Sequence, residues 1–73
     1  MSETEHRLDP TVLDDARRLL GVTSDEKLAA RLDLTGVTIR NLRHGRTSPS
    51  VSTLVKLRSV TGRPLDGLII TAA

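Results

Sequence analysis

The sequence predicts an all-α fold, a compact bundle of about five short helices, and three observations carry that prediction. Apolar residues recur at helical spacing in successive segments, most of them opened by a residue able to cap free backbone N–H groups and closed by glycine. The chain has no Phe, Tyr or Trp, so its core must be built from Leu, Val, Ile and Ala, side chains that suit close packing of helix on helix. Between the second and third segments almost no chain is left over, and a turn this short forces the two helices to cross steeply.

At 73 residues with 37% apolar content, the chain has room for one domain and one modest core. The absence of cysteine excludes a disulfide framework and a Cys-based zinc site, and no cofactor or metal is expected. No apolar run approaches the ~20 residues of a membrane span, so the expectation is a cytoplasmic protein without membrane contact.

Residues 1–8 lack periodicity and read as a flexible leader, followed by a folded domain over 9–70 and a tail over 71–73. Asp9-Pro10 opens the first helix, because the carboxylate can cap and proline is tolerated at the first helical position. Val12, Leu13, Ala16, Leu19 and Leu20 supply its apolar face, Asp14 and Arg18 pair on its outside, and Gly21 stops it. Thr23 or Ser24 caps the second helix, with Leu28, Ala29 and Leu32 inward. Thr35 caps the third, Ile39 and Leu42 point inward, and Gly45 ends it. Ser50 opens a fourth helix with Val51, Leu54, Leu57 and Val60 inward, and a last short helix over 65–69 brings Leu68 and Ile69 to the core.

Net charge is only +2, but it is unevenly spread. Residues 1–33 carry eight acidic and five basic side chains, whereas residues 34–73 carry six basic side chains against Asp66 alone. The second half thus has the character of a surface that binds a polyanion.

Ser24-Asp25-Glu26-Lys27-Leu28-Ala29-Ala30-Arg31-Leu32, then Leu34-Thr35, Ile39, Leu42, Gly45, Pro49, Leu54, Leu57, Gly62 and Leu65-Asp66-Gly67-Leu68-Ile69 stand at a joint spacing. Over about residues 10–70 this pattern resembles the helix-turn-helix family of lambda-type phage repressors, Cro proteins and related bacterial regulators. The resemblance implies a transcriptional regulator, not an enzyme, that binds double-stranded DNA with its third helix, about residues 35–44, in the major groove of an operator. Carried over by position, Val37, Thr38, Arg40 and Asn41 face the bases. Arg40 suits guanine, Asn41 suits adenine, and the methyl groups of Val37 and Thr38 suit thymine. Gly36 has no side chain to read with and allows close approach of the backbone. Phosphate contacts fall to Ser24, Thr35, Gly36, Arg43, His44, Arg46 and Thr47.

Three positions depart from the family pattern. Asp33 stands where glycine is frequent in the turn, so a left-handed Asp is expected there. Asp25 stands where a phosphate-touching glutamine is frequent, and its carboxylate is expected to cap or pair locally. Arg43 stands where a glutamate often pairs with an arginine of the first helix, which releases Arg43 for phosphate or for Asp14 or Asp15. A homodimer on palindromic half-sites is expected, joined through the C-terminal end, where Leu68, Ile69, Ile70 and Ala72 offer apolar surface. The competing reading is a small helical protein-interaction module, antitoxin-like or an adaptor, docking through that same end.

Overall fold

The computed structural model describes residues 5–72. In chain order these form β1 (Glu5–Leu8), α1 (Pro10–Leu20), α2 (Asp25–Arg31), α3 (Gly36–Arg43), α4 (Val51–Thr61), a single 3-10 turn (Leu65–Gly67) and β2 (Ile69–Ala72). The expected helical bundle is present, with four α-helices rather than five and a small sheet in addition.

Local chemistry sets the helix ends. Asp9 accepts from the Thr11 N–H at 2.9 Å, Ser24 from Lys27 at 3.1 Å, Thr35 from Thr38 at 3.1 Å and Ser50 from Thr53 at 3.1 Å. Each side chain thereby satisfies one of the N–H groups that a helix start leaves without an internal partner. In the α2–α3 turn Asp33 takes the left-handed conformation, φ 58°, and the Leu34 N–H returns to the Ala29 carbonyl at 2.8 Å. That bond closes the turn between α2 and α3, beside the small buried Ala29.

The core gathers Val12, Leu13 and Ala16 of α1, Leu28, Ala29 and Leu32 at α2, Ile39 and Leu42 of α3, Leu57 of α4, and Leu8 and Leu68 from the chain ends. Two of the outermost members correct the sequence reading. The segment read as a leader is, from Glu5, a strand antiparallel to β2, with Arg7 opposite Ile70 and Leu8 opposite Ile69. The predicted last helix is one 3-10 turn, after which Ile69 and Ile70 continue as strand. Their β-branched side chains favour the extended backbone once Gly67 has broken the turn. The Asp9 N–H donates to the Leu68 carbonyl at 2.9 Å and closes the ladder against α1.

On α4 the inward row is Thr53 and Leu57, with Leu54 and Val60 packed at the margin. Val51, expected inside, is 77% exposed, since it lies outside this row. Thr53 keeps its hydroxyl satisfied by accepting from the Ser50 hydroxyl at 3.0 Å. Leu19, also expected on an inner face, is exposed. Leu68 is wholly buried and Ile69 packs against the core, so of the expected C-terminal docking residues Ile70 alone is described as exposed. Ala72 belongs to β2, and its side chain lies outside the described set. Among the described residues, exposed large apolar side chains also stand at Leu19, Val37, Val51, Val55 and Leu65. No helix among the described residues is long and apolar enough to cross a membrane.

Candidate nucleic-acid interface

Helix α3 is held from beneath and free above. Ile39 and Leu42 anchor it in the core, Thr35 caps its start, and the Arg46 N–H closes its end on the Asn41 carbonyl at 2.9 Å, past a left-handed Gly45. Residues 37, 40, 41 and 44 lie three or four apart and share the opposite face. There Val37, Arg40 and His44 are exposed and Asn41 is half-exposed. Thr38 is half-buried, its hydroxyl 2.9 Å from that of Thr35. Thr35, Arg46 and Thr47 are exposed, and Gly36 and Ser24 are half-buried. Because Ser24 Oγ accepts from Lys27, its hydroxyl proton remains available to donate.

Arg43 goes elsewhere. Its Nε and Nη2 donate to the two oxygens of Asp25, both at 2.8 Å, and its Nη1 donates to Asp14 at 3.0 Å. Arg17 adds a longer contact to the same Asp25 oxygen at 3.4 Å. This cluster ties the end of α3 to the start of α2 and to α1. The hydrogen bonds from Arg43 hold the Asp25 carboxyl below the ordinary carboxylate range, against the opposing effect of partial burial. They hold the Arg43 guanidinium above its own ordinary value. Expected among the phosphate ligands, with Asp14 or Asp15 as the alternative, Arg43 is engaged by carboxylates within the fold, because Asp25 and Asp14 both stand within hydrogen-bonding reach of its guanidinium. The expected Asp14–Arg18 pair is corrected with it: Asp14 faces Arg43, and Arg18 reaches Asp15 at 3.5 Å.

Arg63 forms a second cluster, hydrogen-bonded to Asp15 and 3.7 Å from Asp9. Arg40 and Arg46 have no carboxylate partner among the described residues. The uncompensated positive charge of α3 and its exit is therefore carried by these two.

Two residues near the face escaped the sequence reading. Arg7 of β1 lies against Gly45, where an added Cβ would stand 3.1 Å from its Cδ. Nothing local signals this, since the position of Arg7 depends on a strand partner more than sixty residues away. Glu26 lies against Gly36, its Cγ 3.2 Å from where a Cβ would be. Gly36, at the start of α3, reads in the sequence as allowing close approach of the backbone, and the contact with Glu26 depends on how the two helix starts meet.

A family model described as helix-turn-helix matches residues 13–68, which runs from within α1 through the 3-10 turn and includes every residue of α2, α3 and their connecting turn. No curated protein and no solved structure matches the chain.

Proposed function

The chain belongs to the helix-turn-helix family of lambda repressor and Cro-like proteins, DNA-binding transcription regulators, and from that premise we propose that it recognises a specific operator in the manner of a phage repressor or Cro protein. Helix α3 enters the major groove, and α2 lies across the phosphate backbone. The observation that carries this reading is the division of α3 into two faces, one locked into the core by Ile39 and Leu42, the other presenting Val37, Arg40 and Asn41. Arg40 donates its guanidinium fork to guanine O6 and N7, Asn41 pairs with adenine N6 and N7, and the Val37 and Thr38 methyls meet thymine methyls. Ser24, Thr35, the Gly36 backbone, His44, Arg46 and Thr47 contact phosphates, which supplies affinity and register rather than sequence preference. Arg43 takes no part in this set and instead braces the reading helix.

One such domain touches few base pairs. Two copies on palindromic half-sites ~34 Å apart multiply the discrimination, and the C-terminal part of the chain, where Val51, Val55, Leu65 and Ile70 are exposed, joins them. Regulation of this kind acts by occupancy in the cytoplasm and requires no cofactor. Selection of bound duplexes from a random pool, followed by electrophoretic titration, tests the proposal. A recovered motif with two-fold symmetry is the expected result. Binding that tracks salt alone, with equal affinity for every duplex, would overturn it.

A further inference from the structure

Gly36 opens the reading helix without a side chain, yet the space beside its Cα is not empty: the Glu26 stem crosses it, with Cγ 3.2 Å from the position of the missing Cβ. Glu26 is exposed and has no ion-pair partner or hydrogen bond among the described residues. Its neighbour Asp25 is turned the other way, onto Arg43 and Arg17. The two successive carboxylates of α2 therefore do different things, one bracing the helices from inside and the other standing at the N-terminal end of the exposed face of α3.

We propose that Glu26 is a specificity-determining residue that takes the place of a side chain at position 36 and accepts a hydrogen bond from the exocyclic amine of a cytosine. The inference rests on the major-groove reading above. In that docking the first residues of the reading helix approach the base edges most closely. A carboxylate there can only accept, and the major-groove edge of cytosine offers only a donor, its N4 amine, which is the match that excludes guanine and thymine edges. The same negative charge repels the acceptor edges of guanine and thymine, so Glu26 selects against wrong sequences as much as for the right one. The glycine suits this arrangement: a methyl at 36 would press on the Glu26 stem and require it to give by a few tenths of an ångström.

Selection from a random duplex pool, run in parallel on the unsubstituted chain, Glu26→Gln, Glu26→Ala, Gly36→Ala and Arg40→Ala, tests the proposal, with far-UV circular dichroism melts on each. The unsubstituted protein is expected to prefer cytosine roughly 5- to 150-fold at one position per half-site, the discrimination typical of a well-formed base contact. Glu26→Ala is expected to abolish that preference alone, and Glu26→Gln to move it toward adenine, whose N6 and N7 suit an amide. Gly36→Ala is expected to weaken it at the same position although alanine cannot read a base. If Arg40→Ala changes the motif while both Glu26 variants retain it unaltered, the proposal for Glu26 is overturned and the major-groove reading stands. If Glu26→Gln lowers only the melting temperature, the carboxylate merely complements the positive end of α3 and the proposal is again overturned. A pool without any preference overturns both readings together.

Discussion

Replacing Arg43 by methionine separates two roles that the sequence leaves open, because a brace and a phosphate ligand respond in opposite ways. Methionine keeps most of the aliphatic stem and removes three donors: two on Asp25 at 2.8 Å and one on Asp14 at 3.0 Å. The Asp25 contact is a bidentate, charge-assisted pair whose side chains are 23% and 28% exposed, between the surface case worth ~0–1 kcal/mol and the buried case where losing one partner costs ~3–5 kcal/mol. Asp14 is 61% exposed and adds a few tenths of a kcal/mol at most. The expected loss is therefore about 2 kcal/mol. In a domain of this size that lowers the melting temperature by roughly 8–16 °C, a large part of its margin. Far-UV circular dichroism is the natural probe, since the chain contains no aromatic side chain to report by fluorescence. The slope of log affinity against log salt, measured on random duplex below the new melting temperature, is expected to stay as in the unsubstituted protein. Asp25→Asn combined with Arg43→Met is expected to cost less than the sum of the single changes. A melting temperature unchanged within 2–3 °C, together with a salt slope reduced by about 0.9, would place Arg43 on a phosphate and refute the assignment.

Arg46→Ala is expected to do the reverse, reducing the salt slope by about 0.9 in titrations of random duplex while leaving the melting temperature where it was. Acid is expected to unfold the protein through Asp25 and Asp15, whose carboxyls are held below the ordinary range chiefly by hydrogen bonds from Arg43 and Arg63. A pKa lower in the folded than in the unfolded chain contributes stability that is complete above the ordinary aspartate value near ~3.9 and is lost as pH falls through the folded values. Melting temperatures should accordingly be flat from about pH 7 to 5 and fall below about pH 4, less steeply in Asp25→Asn. Asp33→Gly removes a side chain from a left-handed position, φ 58°, and is expected to raise stability by ~0.5–1 kcal/mol in urea titrations, net of the greater freedom glycine has when unfolded.

Features decided within four or five residues were legible in the sequence. The four caps and the inward residues of α2 and α3 arise from chemistry carried by near neighbours, and the left-handed Asp33 is expected from the family resemblance. What depends on a distant partner was not. The His6-Arg7-Leu8 segment acquires its extended form from Ile69 and Ile70, and Leu8 enters the core only because that pairing holds it there. A four-residue strand offers too short an alternation to be read alone. Val51 failed for a different reason: α4 is apolar on more than one side, so periodicity did not single out the row of Thr53 and Leu57. At the interface, Asn41 and Arg40 were placed outward by helical spacing, whereas Glu26 required knowing which helix ends meet.

Charge illustrates the same distinction and changes its meaning. Along the chain, the second half carries six cations against a single acid, which invites the inference that all six serve one polyanion. In space, acids from the first half reach two of them: Asp25 and Asp14 take Arg43, and Asp15 and Asp9 take Arg63. The apparent segregation is partly the complementarity that joins α1 and α2 to the second half of the fold. At α3 there remains a smaller but better-defined charge, Arg40 on its exposed face and Arg46 at its exit, with Glu26 packed against the helix start. On the proposed reading, Arg40 and Glu26 at fixed places discriminate among sequences while Arg46 adds affinity to any duplex, whereas six cations spread over a surface would add affinity alone. Diffuse positive charge attracts every phosphate alike, whereas a fixed acceptor beside fixed donors is satisfied only by a particular order of base edges.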